Sequence, residues 1–125
     1  MSGNSFLLDT NIVLYLLSGD DTLTELLYEK QLYISIITEM ELLGFKGIGQ
    51  REETAIRDFI DQCKTVNINE NIKEGTITVR KRYGTKLPDS IIAATALYLD
   101  MPLVTADTGF NKVGELDLVH YEKRS

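Results

Sequence analysis

An α/β fold built around a largely parallel sheet is the architecture that this sequence predicts, and three observations predict it. Short apolar, β-branched runs alternate along the chain with segments whose apolar residues recur at helical spacing. No internal repeat, low-complexity tract or Pro/Ser-rich linker interrupts that alternation. With 125 residues and 43% of them hydrophobic, the chain is long enough for one domain with a real core and too short for two, so a single domain over 1–125 is expected.

The elements follow in order. Residues 5–8 read as a short strand and residues from about 11 to 17 as a helix. That helix is apolar nearly all round: Ile12, Val13, Leu14, Tyr15, Leu16 and Leu17 cannot share one core stripe, which points some of them at another helix or another subunit. Gly19 breaks the run, Asp20 and Asp21 start a second helix, and Leu23, Leu26 and Leu27 give it helical spacing. "LYISII" is a buried-strand candidate, "TEMELLGF" a helix start and "GIGQ" a loop. A helix over 51–63 puts Ala55, Ile56, Phe59 and Ile60 on its inner face, and "TVNI" follows as a strand. The next segment reads both ways. "GTITV" alternates like a strand, while Ile72, Thr76, Val79 and Tyr83 fit one helical face, and the helix is favoured. "LPDSIIAATALYLD" has proline in a first turn and an alanine-rich body, both helix signals. "PLVTAD" and "LDLVHY" close the pattern as strands.

In a parallel sheet the ligand crevice lies outside the carboxyl ends of the strands. Asp9 directly follows the first strand, Glu41 comes shortly after "LYISII", Asp89 sits at the start of the alanine-rich helix, and Asp107 follows "PLVTA". Singly, each has an ordinary explanation. Asp9 and Asp89 suit helix caps or the helix dipole, at roughly 0.5–2 kcal/mol each, and Thr38-Glu39-Met40-Glu41 matches a capping box. Together they would be neighbours, and two like charges about 5 Å apart cost roughly 3 kcal/mol at an effective dielectric near 20. Such a cluster implies divalent cations, and oxygen-only ligands favour Mg²⁺ or Mn²⁺ over zinc. His120 and Cys63 are too isolated for a zinc site.

Charge and cysteine content bound the setting. A net charge of −6 argues at first sight against a nucleic-acid partner. The total says nothing of where the charges sit, however, and a carboxylate-rich metal site would itself make it more negative. A single cysteine excludes an intramolecular disulfide and agrees with a reducing compartment. The N-terminus has no basic region and Asp9 interrupts what could be an apolar signal core, so no signal peptide or membrane span is expected and the location is read as cytoplasmic.

"FLLDTNIVLYLL", "ISIITEMELLGF", "KLPDSIIAATAL" and "PLVTADTGF", in that order over almost the whole chain, resemble the motifs of PIN-domain ribonucleases, most nearly the VapC-type toxins of bacterial and archaeal toxin–antitoxin pairs. The resemblance implies a PIN-like α/β/α sandwich around a mainly parallel sheet, Mg²⁺- or Mn²⁺-dependent cleavage of RNA, homodimerisation and inhibition by a cognate antitoxin. It carries the acids of the family onto Asp9, Glu41, Asp89 and Asp107, a supporting hydroxyl onto Thr105, and onto Asn11 a polar residue that orients the first aspartate. One departure concerns a second metal site: many relatives have another acid shortly after the fourth, where this chain has Thr108 and Gly109.

The reaction expected on this reading is hydrolysis of a phosphodiester by metal-activated water, with Asp9, Asp89 and Asp107 as ligands and Glu41 completing the coordination or taking the proton of the water. Arg80, Lys81, Arg82 and Lys86 offer positive charge for an RNA backbone, Lys86 above all because it lies close to Asp89; an ordinary solvated face explains them equally well. Two other functions compete. A phosphatase of the haloacid-dehalogenase type also begins with a strand ending in aspartate but needs a second aspartate two residues on, where this chain has Asn11. A catalytically silent PIN-like module that only binds RNA or protein would have no reason to retain all four acids.

Overall fold

The computed structural model describes residues 4–123. Five parallel strands, β1 (Ser5–Leu8), β2 (Gln31–Ser35), β3 (Lys64–Val66), β4 (Leu103–Thr105) and β5 (Leu118–His120), form one sheet in the order β3-β2-β1-β4-β5. Six helices cover it: α1 (Thr10–Leu17), α2 (Asp21–Leu26), α3 (Ile36–Leu43), α4 (Gln50–Asp61), α5 (Glu70–Tyr83) and α6 (Leu87–Leu99), with a 3₁₀ turn at Thr108–Lys112. None of the helices among the described residues is long and apolar enough to cross a membrane.

The pleat of the central strands divides the core in two. Successive side chains of a strand point to opposite faces, so Leu7 and Leu103 pack with Ile92, Ala93 and Phe110 under α5 and α6. Leu8 and Val104, one residue further on, pack with Ile12, Leu23, Leu42 and Ile56 under α1 to α4. Helices on both faces of a parallel sheet make the α/β/α sandwich, and explain why β1 is apolar at consecutive positions rather than alternately.

Several boundaries differ from the sequence expectation, each for a local reason. "LYISII" is a strand only to Ser35; the Ser35 hydroxyl accepts a hydrogen bond from the Ile37 amide and so starts α3 at Ile36. The helix therefore begins before Thr38, and Thr38 and Glu41 form no capping box. The first helix starts at Thr10, one residue early, because the Asp9 side chain caps it. On α1 Ile12 and Val13 are buried and Leu14 is exposed. Leu26 of α2 is exposed as well. On α4 the inward residues are Ile56, Phe59 and Ile60, whereas Ala55 faces solvent. β3 stops at Val66, and Ile68 of "TVNI" is exposed. The ambiguous segment is helix, with Ile72, Thr76 and Val79 buried. Its Gly75 lies against Ala94 of α6, where an added Cβ would come within 3.3 Å of the alanine methyl.

This topology places the site. The chain lays down β1, moves outward through β2 and β3, then returns to the other side of β1 for β4 and β5. The order reverses between β1 and β4, and a crevice opens beyond the carboxyl ends of strands at such a reversal.

Candidate active site

Asp9 is the first residue beyond β1 and only 6% exposed. Its amide continues the ladder to β4 by donating to the Val104 carbonyl at 3.0 Å, which leaves the carboxylate at the mouth of the crevice. Oδ1 accepts from the Thr10 amide at 2.8 Å and Oδ2 from the Thr105 hydroxyl at 2.8 Å. Burial pushes the Asp9 pKa up, those two hydrogen bonds oppose the rise, and the charges of Asp89 and Asp107 add to it.

Thr105, fully buried at the end of β4, serves two acids at once. While donating to Asp9, its hydroxyl accepts from the Asp107 amide at 3.0 Å. Asp107 caps the 3₁₀ turn, Oδ1 accepting from the Gly109 amide at 2.8 Å. A Cβ at position 109 would lie 3.1 Å from that oxygen, so Gly109 lets the backbone close in on the carboxylate where relatives were expected to bring a further acid.

Asp89 lies in the first turn of α6, but the capping position belongs to Lys86 and no side-chain cap is made there. The cap explanation for Asp89 fails, and only the helix dipole survives of it. Burial raises the Asp89 pKa first; Asp107 and Glu41 add, while Lys86 opposes. The loop before α6 is held by a buried hydroxyl pair, Thr85 and Ser90, with Ser90 also donating to the Lys86 carbonyl at 2.8 Å. Lys86 is exposed and does not line the cavity, but it stands near enough for its charge to act on Asp89. Glu41 reaches in from α3, its Oε1 accepting from the Thr10 hydroxyl at 2.7 Å.

The four acids, from four separate elements, line one cavity of about 440 Å³ together with Thr10, Asn11 and Glu52. Its other wall is apolar: Leu14, Leu42, Phe45, Ile48 and Ile56. Among the described residues no ion pair reaches any of the four carboxylates. Nor, among those residues, do three His, Cys, Asp or Glu side chains stand close enough to chelate an ion as they are arranged. Both oxygens of Asp9 and one oxygen each of Asp107 and Glu41 accept from N–H or O–H donors of the chain. In kind the donor set still fits a hard cation, being carboxylate and hydroxyl oxygen throughout, with two carboxyl groups whose pKa values are raised by burial first and by the neighbouring acids in addition.

The remaining residues singled out in the sequence fall as follows. Asn11 is exposed on the cavity wall and makes no hydrogen bond to Asp9, whose two oxygens are taken by Thr10 and Thr105. Arg80, Lys81 and Arg82 sit in the last turn of α5 and none of them lines the cavity. Arg80 donates to the Thr85 carbonyl at 3.3 Å, and Arg82 pairs with Glu115 at 3.0 Å. Cys63 is half-buried, its thiol pushed up to about 11 by burial, and His120 is exposed on β5. Sequence reasoning missed Thr10 and Thr38. Both looked like helix-start residues, and only their contact across 28 positions shows another use.

Comparison with known proteins agrees with this fold. The family model described as the PIN domain matches residues 6–116. A toxin–antitoxin complex from Klebsiella pneumoniae contains a chain 35% identical to this one, with a TM-score of 0.80 over 94% of this chain and 98% of that one. VapBC-1 from nontypeable Haemophilus influenzae is 26% identical with a TM-score of 0.74, over 93% of this chain and 97% of that one. VapBC2 from Rickettsia felis, bound to a DNA fragment from their promoter, has a TM-score of 0.83 over 94% and 99%, and at 20% identity shows the shared fold alone. No curated protein matches the chain.

Proposed function

The chain belongs to the PIN-domain family, and from that premise we propose that it is a Mg²⁺- or Mn²⁺-dependent endoribonuclease, the toxin of a type II toxin–antitoxin pair acting in the cytoplasm. The observation supporting this reading is the convergence of Asp9, Glu41, Asp89 and Asp107 on one cavity at the reversal of the sheet, with no ion pair to any of them among the described residues.

Asp9, Asp89 and Asp107 would hold the cation. When bound, it supplies Lewis acidity and lowers the pKa of water at the site. The chain's own groups do the rest. Thr105 and the Thr10 amide aim the Asp9 carboxylate, the Gly109 amide holds one oxygen of Asp107 and leaves the other to the cavity, and Lys86 offsets the charge of Asp89. Glu41, exposed at the rim, would complete the set of ligands or take up a proton from water at the site. Lys86 is also the cation best placed for a phosphate of the RNA. No side chain of this site needs to act as a nucleophile.

Cleavage of single-stranded or loop RNA by the purified protein with Mg²⁺ or Mn²⁺, and its loss in EDTA, is the expected result. Cutting that persists undiminished in EDTA would overturn the metal-dependent mechanism. A catalytically silent RNA- or protein-binding module is the second reading, favoured by the open spacing of the acids. RNA bound but left intact in saturating Mn²⁺ would establish it.

Two partners belong to the same proposal. The Klebsiella relative was solved as a toxin–antitoxin complex, and here the apolar wall of Leu14, Phe45 and Ile48 suits a cognate antitoxin helix. A second copy of the chain would cover Leu26 and Tyr28, apolar side chains that α2 and the turn after it leave 46% and 70% exposed. Light scattering at micromolar concentration is expected to give twice the 14.1 kDa chain mass; a monomer mass would count against the homodimer.

A further inference from the structure

We infer that Thr10 is a positioning residue that ties Asp9 to Glu41, with Thr38 as its own support; the inference rests on the metal site proposed above. Thr10 uses both of its donors on acids. Its backbone N–H donates to Asp9 Oδ1 at 2.8 Å, and its hydroxyl donates to Glu41 Oε1 at 2.7 Å, across 31 positions of sequence. The same hydroxyl lies 3.0 Å from the Thr38 hydroxyl.

The direction of the chain of hydrogen bonds follows from counting protons. A hydroxyl has one, and an ionised carboxylate can only accept. The Thr10 proton therefore points at Glu41, so at the other contact Thr38 is the donor and Thr10 the acceptor. Thr38 is fully buried in the first turns of α3, where no water competes for its hydroxyl. The order Thr38 to Thr10 to Glu41 runs from the interior to the rim, each group orienting the next. Glu41 most needs such orientation: it is exposed, long and flexible, whereas Asp9 is buried and already gripped by Thr105. The Thr10 hydroxyl has no other task. Asp9 caps α1, and Thr10 is its first residue. Groups that orient carboxylate ligands in this way typically change metal affinity about 10- to 100-fold when removed.

The test titrates Mn²⁺ against the melting temperature of the full chain without RNA, so it does not depend on activity. Thr10→Val keeps the shape and removes the hydroxyl; its apparent Mn²⁺ dissociation constant is expected to rise roughly tenfold, while Thr10→Ser stays close to wild type. In a Glu41→Ala background, which weakens binding itself, adding Thr10→Val should weaken it little further, because the two changes remove one interaction. Thr38→Val interrupts the chain from the other end and should weaken binding by a smaller factor, and it decides the matter if Thr10→Val does not melt cooperatively in EDTA. Wild-type Mn²⁺ affinity in both valine variants, or full additivity with Glu41→Ala, overturns the positioning role and leaves the metal site standing. A wild-type protein whose melting does not respond to Mn²⁺ overturns the metal site and this inference with it.

Discussion

Asp9→Asn is expected to abolish RNA cleavage, with kcat falling at least about a thousandfold, equivalent to roughly 4 kcal/mol at 1.36 kcal/mol per tenfold. Asp9 is the acid on which the rest of the site converges: it is the most buried of the four, it receives Thr105 and Thr10, and it feels the charges of both Asp89 and Asp107. Asparagine has nearly the same volume and caps a helix about as well, so α1 should still start at Thr10 and the domain should still fold. What is lost is the negative charge facing the cavity. Single-turnover cleavage of an RNA oligonucleotide in Mn²⁺, run beside a thermal melt, checks both halves. Undiminished cleavage by a folded variant would sink the mechanism.

The second large effect is on stability and has the opposite sign from an ordinary capping loss. Burial, Asp107 and Glu41 together raise the Asp89 pKa against the opposing pull of Lys86. A carboxyl whose folded pKa lies above its unfolded value of about 3.9 binds more protons in the folded state, so stability falls as pH rises from that value through the raised one. Asp9 is shifted the same way. As pH rises toward neutral, the metal-free protein bears a growing cost of keeping these groups ionised. Asp89→Asn removes part of it, at the loss of a dipole interaction of about 0.3–1 kcal/mol. The variant should therefore melt higher than wild type in EDTA near pH 7, by roughly 4 °C if the net gain is about 1 kcal/mol. Its stabilisation by Mn²⁺ should be smaller, because bound metal stabilises the folded state by mass action and the variant has one ligand fewer. At a pH below the unfolded value the two proteins should differ little, since the group is then protonated in both states. A variant less stable in EDTA that gains as much from Mn²⁺ as wild type would return Asp89 to a purely structural role.

What could be read from the chain alone was whatever depends on local pattern. β1 and α6 were legible because a continuous apolar run and a proline-led, alanine-rich segment carry their signals in local composition, and Asp9, Asp89 and Asp107 because each follows a strand or opens a helix, whereas Glu41 falls in the second half of α3. The parallel α/β class came from the alternation of strand and helix signals. Boundaries and partners were not legible, because they depend on contacts between residues distant in sequence. Ser35 ends β2 and starts α3 with a single hydroxyl, so two isoleucines that look like strand belong to a helix. Gly75, a poor helix former, sits in α5 because its missing side chain lets α6 come close, a reason that lies some twenty residues away in Ala94. The hydroxyls that hold the site were the least visible of all. Thr105 reaches Asp9 across 96 positions and Thr10 reaches Glu41 across 31. Sequence by itself determined which acids this protein has and at which end of its sheet they fall, since strand and helix periods are local. Only the tertiary structure decided which oxygens are held and by whom, because a threonine hydroxyl is a short-range group whose use depends on what the fold brings within 3 Å of it.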